Sequence, residues 1–122
     1  MSDSTTNLEF LKERVREFCE ARDWDQFHNP KDLAIGTITE AAELLEIFRF
    51  KSEREGEELM KDAEARDEVA MEMADVLFML LRLAQKYGFD LTQSLLRKLA
   101  INEERYPVEK ARGGRNVKYN KL

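Results

Sequence analysis

Three observations in this sequence predict an all-α fold. Glycine and proline are scarce, five and two among 122 residues, so few breaks interrupt the chain and long helices are favoured over short strands. Apolar residues recur every three to four positions along most of its length, the period of an amphipathic helix. Cap and stop residues then punctuate these periodic stretches.

The first helix is expected from Leu8 to Ala21, where Leu8, Leu11, Val15 and Phe18 share one face. Thr6 followed by Glu9 resembles a capping box at its start. Cys19, beside Phe18, reads as a small packed hydrophobe. A polar and aromatic link, Arg22 to His28, comes next. Asn29 as N-cap and Pro30 as first helical residue open a second helix running to about Phe50. The charged stretch from Ser52 to Glu58 is expected to be a mobile loop. A third helix spans about Leu59 or Lys61 to Tyr87, with Gly88 as its stop. Asp90 and Gln93 suggest another capping box, and the fourth helix ends near Arg105, before Pro107.

These elements make one domain over residues 1–107 and a basic tail over 108–122, rich in Lys and Arg and broken by Gly113-Gly114. The tail reads either as a disordered end or as an arm that orders on a phosphate or a neighbouring subunit. The net charge is −5 and 37% of residues are charged. An acidic chain is a poor non-specific nucleic-acid binder. The longest apolar run, Val76 to Leu81, is far too short to span a bilayer. With one cysteine and no apolar leader, a cytoplasmic protein is expected.

The chemistry lies in two acid pairs. At about 100° per residue, Glu43 falls about 60° from Glu40, and Leu44 and Ile47 flank Glu40 within about 40°. In the third helix Asp75 stands in the same relation to Glu72, with Val76, Met79 and Leu83 within about 40° of Glu72. Each pair therefore sits inside an apolar sector. Burying several carboxylates together is unfavourable unless something compensates. A hard divalent cation does so economically, and an oxygen-only set without histidine suits Mg²⁺ or Mn²⁺ better than zinc. The Glu-x-x-His repeats of a di-iron bundle are missing. Paired acids at this spacing are also common on solvated helix faces, and helical pattern alone leaves both readings open.

Glu40-Ala41-Ala42-Glu43 followed by Glu72-Met73-Ala74-Asp75 resembles the metal signature of the MazG-like all-α nucleoside triphosphate pyrophosphohydrolases. The Arg22 to Pro30 block, Ile47-Phe48-Arg49-Phe50-Lys51 and Asn102-Glu103-Glu104-Arg105-Tyr106-Pro107 are similar to the dCTP pyrophosphatase branch. The resemblance covers Leu8 to Pro107 in family order. It implies a four-to-five-helix bundle assembling as a dimer or a dimer of dimers (a homotetramer). It also implies Mg²⁺-dependent hydrolysis of a nucleoside triphosphate, dCTP or a modified dCTP, to monophosphate and pyrophosphate.

Carried over by residue, Glu40, Glu43, Glu72 and Asp75 become metal ligands, with Glu40 the choice to position the attacking water. Trp24, Asp25, Gln26, Phe27 and His28 become part of the base and sugar pocket, and Lys98 and Asn102 contacts to substrate. Phe50 stands where this branch often has Trp, Met79 where some members have Tyr, and Val15 where some have His. Those departures bear on base selectivity. Trp24, Phe27 and Phe50 read otherwise as core, His28 as a capping residue, and Lys51 and Lys98 as surface lysines instead of phosphate neighbours. The second and third helices look apolar around much of their circumference, which points to self-association. The competing function is a non-catalytic metal-dependent nucleotide sensor or an oligomerisation module. A second rival is an enzyme on another pyrophosphate-linked substrate.

Overall fold

A computed structural model describes residues 1–112. Its helices are α1 (Leu8–Ala21), α2 (Pro30–Phe48), α3 (Glu53–Leu59), α4 (Ala63–Tyr87), α5 (Leu91–Arg105) and α6 (Val108–Ala111), with a 3₁₀ turn at Asp25–Phe27. The all-α expectation holds among the described residues. Of the basic tail, Val108–Ala111 is helical, and residues 113–122 lie outside the described part. The chain falls into two compact units, Met1–Gly88 and the residues from Phe89 onward. Among the described residues no helix is long and apolar enough to cross a membrane.

In the first unit α4 packs against both α2 and α1. Its buried side chains are few: Cys19, Leu33, Ala65, Val69, Leu81, Ala84 and the guanidinium-bearing Arg82. Cys19 is fully enclosed, as its neighbours in the sequence suggest, and burial pushes its thiol pKa up.

Local chemistry explains most boundaries. The α1 cap is Asn7, whose side chain accepts from Phe10 N at 2.8 Å, and not the expected Thr6. Asn is among the strongest cap residues, and with Phe10 at the third helical position no reciprocal box forms. Asn29 caps α2 by accepting from Asp32 N at 2.9 Å. The helix ends two residues earlier than expected, with Arg49 at its C-cap. The expected mobile loop after it is instead α3. Ser52 accepts from Glu55 N at 3.1 Å while Glu55 accepts from Ser52 N at 2.9 Å, a full capping box that organises a charged segment lacking an apolar stripe. Asp62 caps α4, which starts slightly later than expected, and Gly88 closes it at φ 75°. That left-handed conformation favours glycine. Asp90 accepts from Gln93 N at 2.8 Å to start α5.

The exit from α1 is less ordinary. Asp23 adopts φ 54°. Its N–H reaches Glu20 O at 3.0 Å, and Trp24 N–H reaches Cys19 O at 3.0 Å. This is the paired-bond helix stop usually built on glycine. The Gln26 amide donates to Asp23 O and Asp23 Oδ2, at 3.1 and 3.0 Å. Trp24 then turns back onto Phe18, ring centroids 5.5 Å apart and edge to face. The stop therefore fixes where the tryptophan enters.

Candidate metal centre

Glu40 and Glu43 lie one turn apart on α2, and Glu72 and Asp75 one turn apart on α4. Because these two helices pack together, the pairs converge. One carboxylate oxygen from each of the four residues lies within 4.8 Å of the others. Glu40 and Glu72 are half-buried, while Glu43 and Asp75 are exposed on the solvent side. The face expected from helical spacing is thus assembled in three dimensions.

Its electrostatics are unfavourable without a cation. Glu40 Oε2 and Glu72 Oε2 are buried without a hydrogen-bond partner. Burial raises the Glu40 pKa, and a hydrogen bond with Glu43 and the charges of Glu43, Asp75 and Glu72 raise it further. Burial also raises Glu72, and the Glu43 charge adds to it. Orphaned carboxylate oxygens facing other carboxylates are a poor protein–protein arrangement and a good donor set for a hard divalent ion. The oxygen-only chemistry, two inner ligands and two on the open side fit an ion that keeps waters and phosphate oxygens in its shell.

A glycine helps bring the helices together here. Gly36 lies one turn before Glu40, and Met79 one turn after Asp75. A Cβ at Gly36 would stand 2.9 Å from both Sδ and Cε of Met79. The Met79 thioether therefore occupies the space an alanine methyl would need, on the acid-bearing faces of both helices.

The other residues singled out from sequence are distributed differently. Trp24 is 38% exposed and packs edge to face on Phe18 and on His28, the latter at 6.3 Å. Phe27 is 64% exposed. Phe50, just past α2, is 86% exposed with the Arg49 guanidinium over its ring at 4.5 Å. Lys51 is exposed at the foot of α3. Lys98 is exposed on α5, and Asn102 on the same helix is half-buried with Oδ1 unpartnered. Both belong to the second unit. Val15 lines an apolar groove of about 340 Å³ between α1 and α4, with Leu11, Phe18, Leu77 and Phe78 among its walls.

Asp25 and His28 are engaged by two residues that the sequence reading missed. Arg82 is 1% exposed. It donates from Nε to His28 Nδ1 at 2.9 Å, from Nη2 to Asp25 Oδ1 at 2.7 Å and from Nη1 to Gln85 Oε1 at 2.6 Å. Lys86 Nζ donates to Asp25 O at 2.9 Å and to His28 O, and lies 3.3 Å from Asp25 Oδ1. Lys86 and Arg82 hold the Asp25 carboxyl below its ordinary range. Burial, with the charges of Arg82 and Lys86, lowers His28 below 6.5. An Nδ1 that accepts from Arg82 leaves the imidazole proton on Nε2. One signal for this pair was available: Asp75, Met79, Arg82 and Lys86 follow at steps of four, three and four residues, a single helix face.

Comparison with known proteins finds relatives of this chain. The MazG-like family model matches residues 35–122. dCTP pyrophosphatase 1 of Mus musculus is 37% identical over 106 residues, 87% of this chain and 62% of that protein. Its Homo sapiens counterpart is 37% identical over 117 residues, 94% of this chain and 67% of that protein. The chain thus spans a little under two thirds of the mouse relative's length. The crystal structure of a pyrophosphatase from Archaeoglobus fulgidus superposes with a TM-score of 0.77 at 36% identity, covering 88% of this chain and 98% of that one.

Proposed function

Since the chain belongs to the MazG-like family, we propose that it hydrolyses a nucleoside triphosphate to the monophosphate and pyrophosphate. The substrate is dCTP or a modified dCTP. The observation that carries this reading is the four-carboxylate cluster on α2 and α4, with its two orphaned inner oxygens. The names of the mouse and human relatives support the same substrate.

Glu40, Glu43, Glu72 and Asp75 hold Mg²⁺, or Mn²⁺ in its place. When bound, the metal neutralises phosphate charge and orients the triphosphate for in-line attack. Glu40 positions a water against the α-phosphorus. The new P–O bond forms as the bond between the α-phosphorus and its bridging oxygen breaks. Pyrophosphate leaves, and the water proton passes to Glu40. Trp24 and Phe27 offer ring surface to a base, Phe50 a further aromatic face, and Met79 an apolar contact beside the acids. Asp25, Gln26 and His28 shape the base and sugar side, while Lys51, Lys98 and Asn102 are the remaining substrate contacts of this reading.

Self-association accompanies it. Ile35 and Leu45 on α2 and Met71 and Met73 on α4 are more than half exposed, and Ile38 is 71% exposed. Apolar surface of this kind marks an interface. We expect a homodimer or homotetramer in the cytoplasm.

The test is pyrophosphate release across a panel of canonical and modified nucleoside triphosphates, with Mg²⁺ and with chelator, beside Glu43→Gln. Mg²⁺-dependent release of both products, lost in the variant, supports the enzyme and gives its base preference. Nucleotide binding without release from folded, metal-loaded protein would make it a sensor. A monomeric mass by light scattering at micromolar concentration would remove the assembly.

A further inference from the structure

The buried guanidinium of Arg82 has no part of its own in the proposed chemistry. It is the largest fully buried side chain of the described chain. Two of its partners are 54 and 57 residues away in sequence, on the turn that carries Trp24 and Phe27. Lys86, one turn further along α4, takes two backbone carbonyls of the same turn. Connecting segments are ordinarily among the more mobile parts of a fold. Here donors from two α4 residues meet the carboxylate, the imidazole and two carbonyls of one short segment.

The placement along α4 suggests why. Asp75, Met79, Arg82 and Lys86 share one helix face. At about 1.5 Å per residue, Arg82 lies about 10 Å along the axis from Asp75, and Lys86 about 16 Å. The same face therefore carries one acid of the cluster, Asp75, at one point and the anchor of the aromatic turn farther on. A rigid helix linking the two makes their separation a fixed length.

We propose that Arg82, with Lys86, is a positioning residue. It locks the Trp24–His28 turn to α4, so that the aromatic surface stands at a set distance from the carboxylate cluster, matched to the span from base to α-phosphate in one nucleotide. In this role Asp25 and His28 shape the base and sugar side as partners of the lock. The proposal rests on the nucleotide-hydrolysis reading. Charge-assisted bonds of this kind are the strong ones and are geometrically specific. The Arg82 guanidinium meets two partners on the turn from Nε and Nη2, a planar two-point geometry that the point charge of a lysine does not reproduce.

The experiment compares wild type with Arg82→Lys, Asp25→Asn and the double variant, using Mg²⁺ and dCTP. Asp25 is an exposed position, so its variant tests the idea even where the buried change impairs folding. Trp24 is the chain's one tryptophan, so its emission reports on this turn alone. Expected are unchanged helical circular dichroism, unchanged Mn²⁺ binding, greater acrylamide quenching of Trp24, and a KM raised about tenfold with kcat within about twofold. The double variant should raise KM no further than the more severe single change, because both break one lock. Folded variants with unchanged quenching and KM overturn the proposal, as do single effects that multiply fully in the double variant. If wild type releases no pyrophosphate, the hydrolysis reading falls. The quenching of ligand-free protein then still decides whether Arg82 holds the turn.

Discussion

Replacing Glu40 with glutamine is expected to make the metal-free protein more stable while abolishing its response to magnesium. Three other carboxylates offer oxygens within 4.8 Å of those of Glu40. At that separation a like-charge pair costs about 0.9 kcal/mol at the dielectric of water and about 3.5 kcal/mol at an effective dielectric of 20. Two of the four acids are solvent-exposed, so the lower figure is the better guide. Part of the repulsion is already relieved by the raised Glu40 pKa. A net gain of about 1–2 kcal/mol follows, which for a domain of this size is roughly 4–8 °C in Tm.

Wild type should show the opposite behaviour with metal. A ligand at one hundred times its Kd stabilises the fold by about 2.7 kcal/mol, a gain the Gln variant largely lacks. The two Tm values therefore cross as Mg²⁺ is added. The pH dependence carries the same sign. Carboxyls raised above their ordinary value bind more protons in the folded than in the unfolded state. Metal-free wild type then gains stability as pH falls from the raised value toward the ordinary 4.5 of Glu40 and Glu72. Differential scanning calorimetry in EDTA and in Mg²⁺ reads all of this. A Glu40→Gln protein that melts below wild type in EDTA would refute the reasoning, since the acids would then be stabilised by something other than a cation.

Three further outcomes follow from local geometry. Asp23 holds a positive φ, so Asp23→Gly should exceed Asp23→Ala in stability by about 1 kcal/mol in urea denaturation, both having lost the carboxylate. Ser52→Ala removes the α3 capping box and should destabilise by about 1 kcal/mol, with faster amide exchange in Glu53–Leu59; unchanged exchange there would show that α3 is held by something else. His28 is neutral in its lock and its pKa lies below 6.5. The folded state therefore binds fewer protons than the unfolded state as pH drops below 6.5, and this contribution to stability declines down to the folded pKa. A Trp24 emission change with its midpoint below 6.5, absent in His28→Gln, is the check.

Much of the molecule is legible from local pattern. Leu8–Ala21 needs only a three-to-four-residue period and a polar residue ahead of it, although which residue caps, Asn7 or Thr6, depends on backbone geometry one position apart. Asn29-Pro30, Asp90 and Gly88 act where their chemistry predicts. The charge and the glycine of the α3 segment suggest a loop, while Ser52 and Glu55, three residues apart, hold the sufficient signal for a helix start. The acid pairs were visible as pairs, because each is set by one helical turn.

What the sequence by itself determined is thus the long helices, most of their caps and the face on which each acid pair lies, since these depend on contacts within about four residues. That the two pairs meet was decided by the packing of α2 on α4. Tertiary structure alone also buried Arg82 and turned it onto Asp25 and His28, across more than fifty residues of chain. No local period distinguishes a guanidinium that will face solvent from one that will anchor a distant turn. The difference arises only when the helix bearing it is covered, and an uncompensated buried charge then requires partners wherever the fold can bring them.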